Sequence, residues 1–495
     1  MVTAAGGRAT IISGGEQLIA IIFGRAAQFL LALAMMRVAT TLLSPEEMGS
    51  VSLVLSTIAF FALFLVSPVG TFINRRLHSW QASGDARHYL VRYVNYLLLV
   101  SLMAAAALPL FYMLRLVDFG IPVDWLIVLV CGSLLFNTIN QTTISSLNLL
   151  GHSKMFVLLS VATVASSFAC ATLLVHFVET SAKYWLLGLL LGQFSLGLVG
   201  TRILFARLHP EPLHHATPTI RKRYLLGLYR FAWPVAIASG LAWTQGQGYR
   251  YLMEGQLGLA QLGLFVAGYG ISAGMLAGFE AVLTTYFQPR LFRDVSKADP
   301  ARQAQAWQRY AAAMIPSLLL TVAFIAMLAP ELTRILLGEN FQSAVEFVIW
   351  GALAEAARIL TGIYSLIAHV YMQTRWLILP NLIGAVLSIT LCMLLMPAFG
   401  AIGVGIGLVL SGSAVVVTMH ILLGRRVDGA VSIRPVLMAF VFASLLWGVT
   451  LILRQTLDAT GWELIAGVLV LVSIIYLGLQ YIFLRGHLED YQERS

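Results

Sequence analysis

The sequence predicts an all-α integral membrane protein: about fourteen transmembrane helices, arranged as two six-helix bundles related by a parallel repeat, with two further helices at the C-terminal end. Composition is the first observation behind this. Of 495 residues 59% are hydrophobic and only 11% charged, with mean hydropathy +0.85, whereas soluble domains carry about 25% charged residues. Span length is the second, because the apolar runs are roughly 20 residues long, enough for a helix to cross a ~30 Å hydrocarbon core, and the alternation of a membrane barrel is absent. The third is an internal echo between the two halves of the chain, treated below.

In chain order the expected spans are 16–43, 50–69, 93–114, 125–149, 155–177 and 184–204, which form an N-terminal bundle within 1–205. A polar connector with His and Pro occupies 206–223, the strongest boundary signal in the chain. The C-terminal bundle, 224–427, holds spans 225–248, 257–286, 310–328, 344–372, 376–396 and 400–423, and spans 435–453 and 464–484 complete the remainder, 428–495. Arg75, Arg76, Arg87 and Arg92, then Arg221, Lys222 and Arg223, then Arg290 and Arg293, then Arg425 and Arg426 all fall on one side. The positive-inside rule therefore puts both termini in the cytoplasm, as an even span count requires. The +9 net charge is explained by these alternate loops and calls for no nucleic acid partner. The N-terminal run is too long for a signal peptide, so the first span is expected in the mature protein.

The halves echo each other. LSPEEMGSVSLVLSTIAFF from Leu43 is matched by LGLAQLGLFVAGYGISAGM from Leu257, about 214 residues later, which puts Arg76 and Arg290 at matching loop positions. Six spans per repeat is even, so the repeats are parallel and a site is expected between the bundles.

No nucleophile elbow, phosphate loop or metal-ligand spacing is present. Cys131, Cys170 and Cys392 lie apart in apolar runs as packing residues, and His214 and His215 belong to the solvated connector. Neither a cofactor nor a metal is expected, and the protein is expected not to be an enzyme. What remains is polar residues inside spans, which serve either as bundle glue or as the lining of a wet path. Arg25 sits about two turns inside the first span; a central Arg costs about 2.5 to 3.5 kcal/mol in hydrocarbon, so it is expected to face a polar cavity or partner, whereas Arg37, close to Ser44 and Pro45, can snorkel to the interface. In the fourth span Asn137, Asn140, Gln141, Ser145 and Asn148 share a helical face, as do Glu355, Arg358, Thr361, Ser365 and His369 in the tenth, and the two faces match at an offset of about 221. Glu355 and Arg358 could equally neutralise each other as an i, i+3 pair. Trp243, Gln247 and Arg250 in the seventh span suit either sugar stacking or an interfacial belt. Glu280 is a deep carboxylate, either a proton carrier or a partner for Arg.

Three segments carry a family likeness: MRVATTLLSPEEMGSVSL at Met36, FAWPVAIASG at Phe231, and LMPAFGAIGVGIGLVLSGS at Leu395. With the span count, they resemble the polysaccharide transporter branch of the MOP flippase superfamily, including Wzx-type O-antigen and exopolysaccharide flippases. The resemblance implies a V-shaped pair of bundles, alternating access, and export of undecaprenyl-pyrophosphate-linked oligosaccharide from the cytoplasmic to the periplasmic leaflet of a bacterial inner membrane. It implies the lipid-linked oligosaccharide and the bilayer as partners, with polysaccharide polymerase or export proteins as further ones. Under it Arg25, Arg250 and Arg358 hold the pyrophosphate, Asn137, Asn140, Gln141, Trp243 and Gln247 face the glycan, and Glu280 and Glu355 are candidates for coupling. Gly248 and Tyr249 stand where relatives often place Asp before the arginine of span seven, which weakens a coupling role there. The alternative is a MATE-like cation-coupled exporter of small molecules, which shares the architecture and predicts an anionic cavity. A membrane ligase or polymerase fits poorly, since the outer loops are short.

Overall fold

The computed structural model describes residues 4–114, 117–208, 222–295, 299–371, 373–424, 433–456 and 462–492. All regular structure among them is helical. The helices α1 (Ala4–Leu42), α2 (Pro45–Phe61), α3 (Ser67–Ser83), α4 (Ala86–Met113), α5 (Val123–Gly132), α6 (Thr138–Leu149), α7 (Ser153–Phe177) and α8 (Ala182–Phe205) make the first half. There follow α9 (Lys222–Gln247), α10 (Tyr249–Val295), α11 (Pro300–Met327), the short α12 (Ala329–Leu336), α13 (Val345–Val370), α14 (Ile378–Leu423), α15 (Ile433–Thr456) and α16 (Trp462–Gln492). Single π-helical turns at Ala62–Val66 and Ser133–Asn137 join α2 to α3 and α5 to α6 without a break. Eleven continuous stretches among the described residues are long and apolar enough to cross a membrane. Two of them, Ala232–Val295 and Arg375–Leu423, are bent where Gly258 (φ 81) and Gly400 (φ 58) leave helical geometry. The protein is thus a multi-pass membrane protein.

Local chemistry explains several ends. Ser44 caps α2 by accepting from Glu47 N at 3.3 Å, Pro45 takes a first-turn position where its missing N–H is not needed, and Glu46 and Glu47 face the positive end of the helix dipole. Asp299 and Pro300 open α11 in the same manner. Other ends depart from expectation. Arg75, Arg76 and Arg290, expected in loops, lie on α3 and α10, which continue to Ser83 and Val295. Hydropathy marks where a helix leaves hydrocarbon, and these helices keep their hydrogen-bond ladder beyond that depth. Most of the expected connector, 209–221, lies outside the described residues.

The chain forms two compact units, one of Met1–Trp243 with Gly258–Gly263, the other of Thr244–Leu257 with Leu264–Ser495. The division falls inside α9, beyond the expected connector. Trp243 ties α9 to α2, donating its indole N–H to Ser56 O at 3.0 Å and meeting the Phe60 ring edge-on at 5.0 Å.

Small residues set the helix approaches of the first unit. On α8, Gly188 and Gly192 lie so close to α7 that an added Cβ would stand 2.3 Å from the Cα of Ala171 and Ser167 respectively. Gly24 does the same for α1, where a Cβ would come 2.4 Å from Val157 on α7. The repeat motifs also meet: a Cβ at Gly49 would fall 2.2 Å from Leu259 O, and one at Gly263 would fall 1.7 Å from Pro45 O. Since 263 − 49 and 259 − 45 both equal 214, this is a reciprocal contact between equivalent positions.

In the second unit Trp307 donates to Ile363 O at 3.0 Å and Ser272 to Val348 O at 2.5 Å, which fixes α11 and α10 on α13. Polar clamps hold the last two helices to α11 and α12. Arg454 pairs bidentately with Glu331 at 2.7 and 2.9 Å and also donates to Met327 O. Gln480 donates to Ser317 O at 2.9 Å, and Tyr476 shares a hydrogen bond with Thr321 while stacking on Phe324 at 4.3 Å.

Candidate functional site

Because Gly24 admits α7 closely, Arg25 is placed against the start of that helix, with its guanidinium 5.9 Å from the Phe156 ring centre. It receives one neutral hydrogen-bond partner, Gln28 Oε1, at 3.3 Å. Beside it opens a cavity of about 540 Å³ between α1, α3, α6 and α7. Among the described residues Arg25 is the one charged group in its wall; Gln28, Asn74, Asn140 and Gln141 supply amides, and Thr71, Ser145, Ser160 and Thr163 supply hydroxyls. The cavity can therefore attract an anion and satisfy many hydrogen bonds, with no carboxylate among the described wall residues to repel the charge.

Asn140 is only 1% exposed. It donates through Nδ2 to Thr163 Oγ1 at 3.2 Å, while its Oδ1 is enclosed without a partner, as are Asn74 Oδ1 and Asn137 Oδ1. Asn137 closes the π-helical turn ahead of α6 and is not part of the cavity wall. Extra-residue turns of this kind recur at functional positions, because they shift the register of side chains around the helix.

The second unit contains a different arrangement. Arg358 on α13 donates from Nε to Glu355 at 2.5 Å and from an Nη to Glu280 on α10 at 2.8 Å. Tyr269 donates to the other Glu355 oxygen at 2.6 Å. Two carboxylates thus hold one guanidinium, and the set carries a formal charge of −1. Glu280 also borders a cavity of about 370 Å³ with Gln288, Tyr310, Ser365 and His369. The i, i+3 pairing of Glu355 and Arg358 is therefore present, and Arg358 is engaged on both sides.

The expected residues are distributed accordingly. Arg25, Asn140 and Gln141 come together in the first cavity, while Ser365 and His369 of the matching face border the second, so each polar face lines a cavity in its own unit. Arg250 lies over the buried Tyr249 ring at 5.7 Å and donates to its hydroxyl at 3.4 Å; Gln247 is half-buried one turn earlier. Trp243 spends its indole N–H on Ser56. Sequence reasoning missed Gln28, Asn74, Ser160 and Thr163, although Ser67, Thr71 and Asn74 on α3 and Ser160 and Thr163 on α7 recur at helical spacing, a signal that could have found them. It also missed Tyr269, whose hydroxyl partner lies 86 positions away.

A profile described as polysaccharide biosynthesis protein matches residues 38–346, more than half the chain. The chain belongs to this family. No curated protein matches its sequence. Among solved structures, one titled lipid II flippase MurJ, inward closed conformation, aligns with a TM-score of 0.67 at 13% identity, covering 95% of this chain and 99% of the other. An inward-facing multidrug resistance MATE family transporter of the MOP superfamily aligns at 0.63 and 16% identity over 81% and 94%, and an outward-facing one at 0.55 and 15% over 83% and 94%. The member of the polysaccharide biosynthesis family thus has the fold of MOP-superfamily transporters, in line with the resemblance read from its motifs.

Proposed function

We propose that this family member is a flippase that moves an undecaprenyl-pyrophosphate-linked oligosaccharide from the cytoplasmic to the periplasmic leaflet of a bacterial inner membrane, by alternating access, for exopolysaccharide or O-antigen assembly. The observation that carries the reading is the cavity of the first unit, whose described wall residues include one arginine, several amides and no carboxylate. A pyrophosphate cannot cross hydrocarbon bare; Arg25 gives it charge-assisted hydrogen bonds, the amides of Asn140 and Gln141 replace water around the glycan, and the polyprenyl tail stays in lipid. Arg358 is assigned a different part, since Glu280 and Glu355 already occupy it. Polysaccharide polymerase or export proteins are the expected downstream partners.

A MATE-like exporter of cations draws support from one observation, the placement of Glu280 in the wall of the second unit's cavity. Extraction of lipids from a deletion strain separates the readings. The flippase reading expects polyprenyl-linked oligosaccharide to accumulate, with reversal by the intact gene and not by Arg25→Ala or Arg25→Glu expressed at equal level. Unchanged lipid-linked glycan, with altered sensitivity to cationic dyes, would contradict it.

A further inference from the structure

We infer that the corner where the α3–α4 hairpin meets the end of α8 holds an anionic diacyl phospholipid of the surrounding bilayer, with its phosphate on Arg87 and Arg202, Arg207 beside them, and its acyl chains along the exposed faces of α4 and α8. The inference is independent of the flippase reading, because it uses an exposed surface of the first unit and no residue of the cavity wall.

The corner is held in place from several sides. α3 closes on Gly84 in the left-handed region (φ 82), and α4 begins two residues later. Trp80 stacks on Tyr89 at 4.2 Å across this hairpin, over the buried Leu77 and Ala86. Gln81 ties the hairpin to the end of α8, donating from Nε2 to Arg207 O at 3.5 Å. Arg87 makes a second tie, with its guanidinium 5.6 Å from the Phe205 ring centre. Arg202 stands one turn before Phe205 on α8, and residues at that spacing are surface neighbours. Arg87, Arg202 and Arg207 are all exposed, and no salt bridge among the described residues includes any of them. The nearby acid is Asp85, which accepts from Ser83 Oγ at 2.8 Å. Three cations against one carboxylate leave the corner positive.

What continues from the cations selects the ligand. On α4 the exposed stripe runs Arg87, Val91, Leu98 and Leu102, interrupted by Asn95; on α8 it runs Arg202, Leu198 and Leu191, interrupted by Ser195. Arg202 to Leu191 spans about 16 Å at 1.5 Å per residue, close to half of the ~30 Å hydrocarbon core. The arginines thus cap apolar strips about one leaflet deep. A soluble anion would answer the guanidiniums and leave the strips bare. A zwitterionic lipid would cover the strips but set its own cation against the arginines. An anionic phospholipid does both, accepting charge-assisted hydrogen bonds through its phosphate oxygens.

Native mass spectrometry of the full chain in detergent, titrated with dioleoyl phosphatidylglycerol or dioleoyl phosphatidylethanolamine, tests the inference. The first phosphatidylglycerol should bind about twentyfold tighter than the first phosphatidylethanolamine, the combined effect of two surface cations. Arg87→Gln and Arg202→Gln should each cut that preference to about fivefold, and the double variant to near onefold. Arg87→Lys with Arg202→Lys, which keeps both charges, should retain most of it, and Arg293→Gln, which removes a charge from α10, should leave it unchanged. Equal affinity for the two lipids would overturn the inference, as would a preference that survives the double Gln variant or falls equally with Arg293→Gln. Displacement of bound phosphatidylglycerol by undecaprenyl phosphate at equal or lower concentration would overturn it by giving the corner to a polyprenyl carrier. Displacement by millimolar inorganic phosphate would overturn it in favour of a soluble anion.

Discussion

Two arginines on long helices, Arg25 on α1 and Arg358 on α13, illustrate how surroundings decide what a cation is for. Arg358 is clasped by Glu355, whose side chain is 8% exposed, and by Glu280, at 29%. Removing its charge strands a buried carboxylate, so Arg358→Leu should destabilise the protein by about 1–3 kcal/mol, seen as a lowered melting temperature in detergent. Glu355→Gln should cost more than Glu280→Gln, because the more exposed carboxylate retains water as an alternative partner. Arg25, exposed and bonded among the described residues to Gln28, should give Arg25→Leu within about 0.5 kcal/mol of the parent in stability while transport is lost. A large loss of stability at Arg25 would make it structural. The difference between these two residues was only half legible. Insertion cost flagged Arg25 from its depth alone, and the i, i+3 spacing flagged Glu355 with Arg358. The bond to Glu280 was not legible, because a partner 78 positions away on another helix leaves no periodic trace.

At the level of elements, glycine does two separate jobs in neighbouring positions. Gly263 and Gly49 permit backbone contact, and Gly258 permits a bend at φ 81 in otherwise open space. Gly258→Ala should therefore cost about 1–2 kcal/mol, from backbone geometry alone. Gly263→Val should be worse, since a Cβ would overlap Pro45 O and the two helices must separate; the expected result is little folded, monodisperse protein on size-exclusion chromatography. Equal effects at 258 and 263 would contradict this division. The echo of the two motifs was visible as a 214-residue offset, but their mutual contact was not, because periodicity places residues on a face and does not name what the face meets. Nor do the π-helical turns at Ala62–Val66 and Ser133–Asn137 show in the sequence. One extra residue in a turn leaves hydropathy unchanged.

For the whole molecule, run length and charge placement were enough to read a multi-pass helical transporter, because the bilayer demands long apolar helices and leaves few other solutions. The cavity was less legible: the asparagine face of α6 was evident, whereas Gln28, Asn74 and Thr163 converge on it from separate helices. The last two helices, expected as a separate pair at the C-terminal end, are clamped to α11 and α12 through polar pairs within the described residues. Arg454→Leu should leave Glu331 unpaired at 10% side-chain exposure and lower the melting temperature, with a cost of about 1–3 kcal/mol; an unchanged melting profile would show the clamp to be dispensable. The central claim concerns movement of a lipid-linked saccharide, and translocation in proteoliposomes tests it most directly. A fluorescent undecaprenyl-pyrophosphate-linked oligosaccharide placed in one leaflet should reach the other faster with the purified protein than in protein-free vesicles, and Arg25→Glu should abolish the difference. Transfer no faster than in protein-free vesicles, from a preparation that does exchange cationic dyes, would contradict the account.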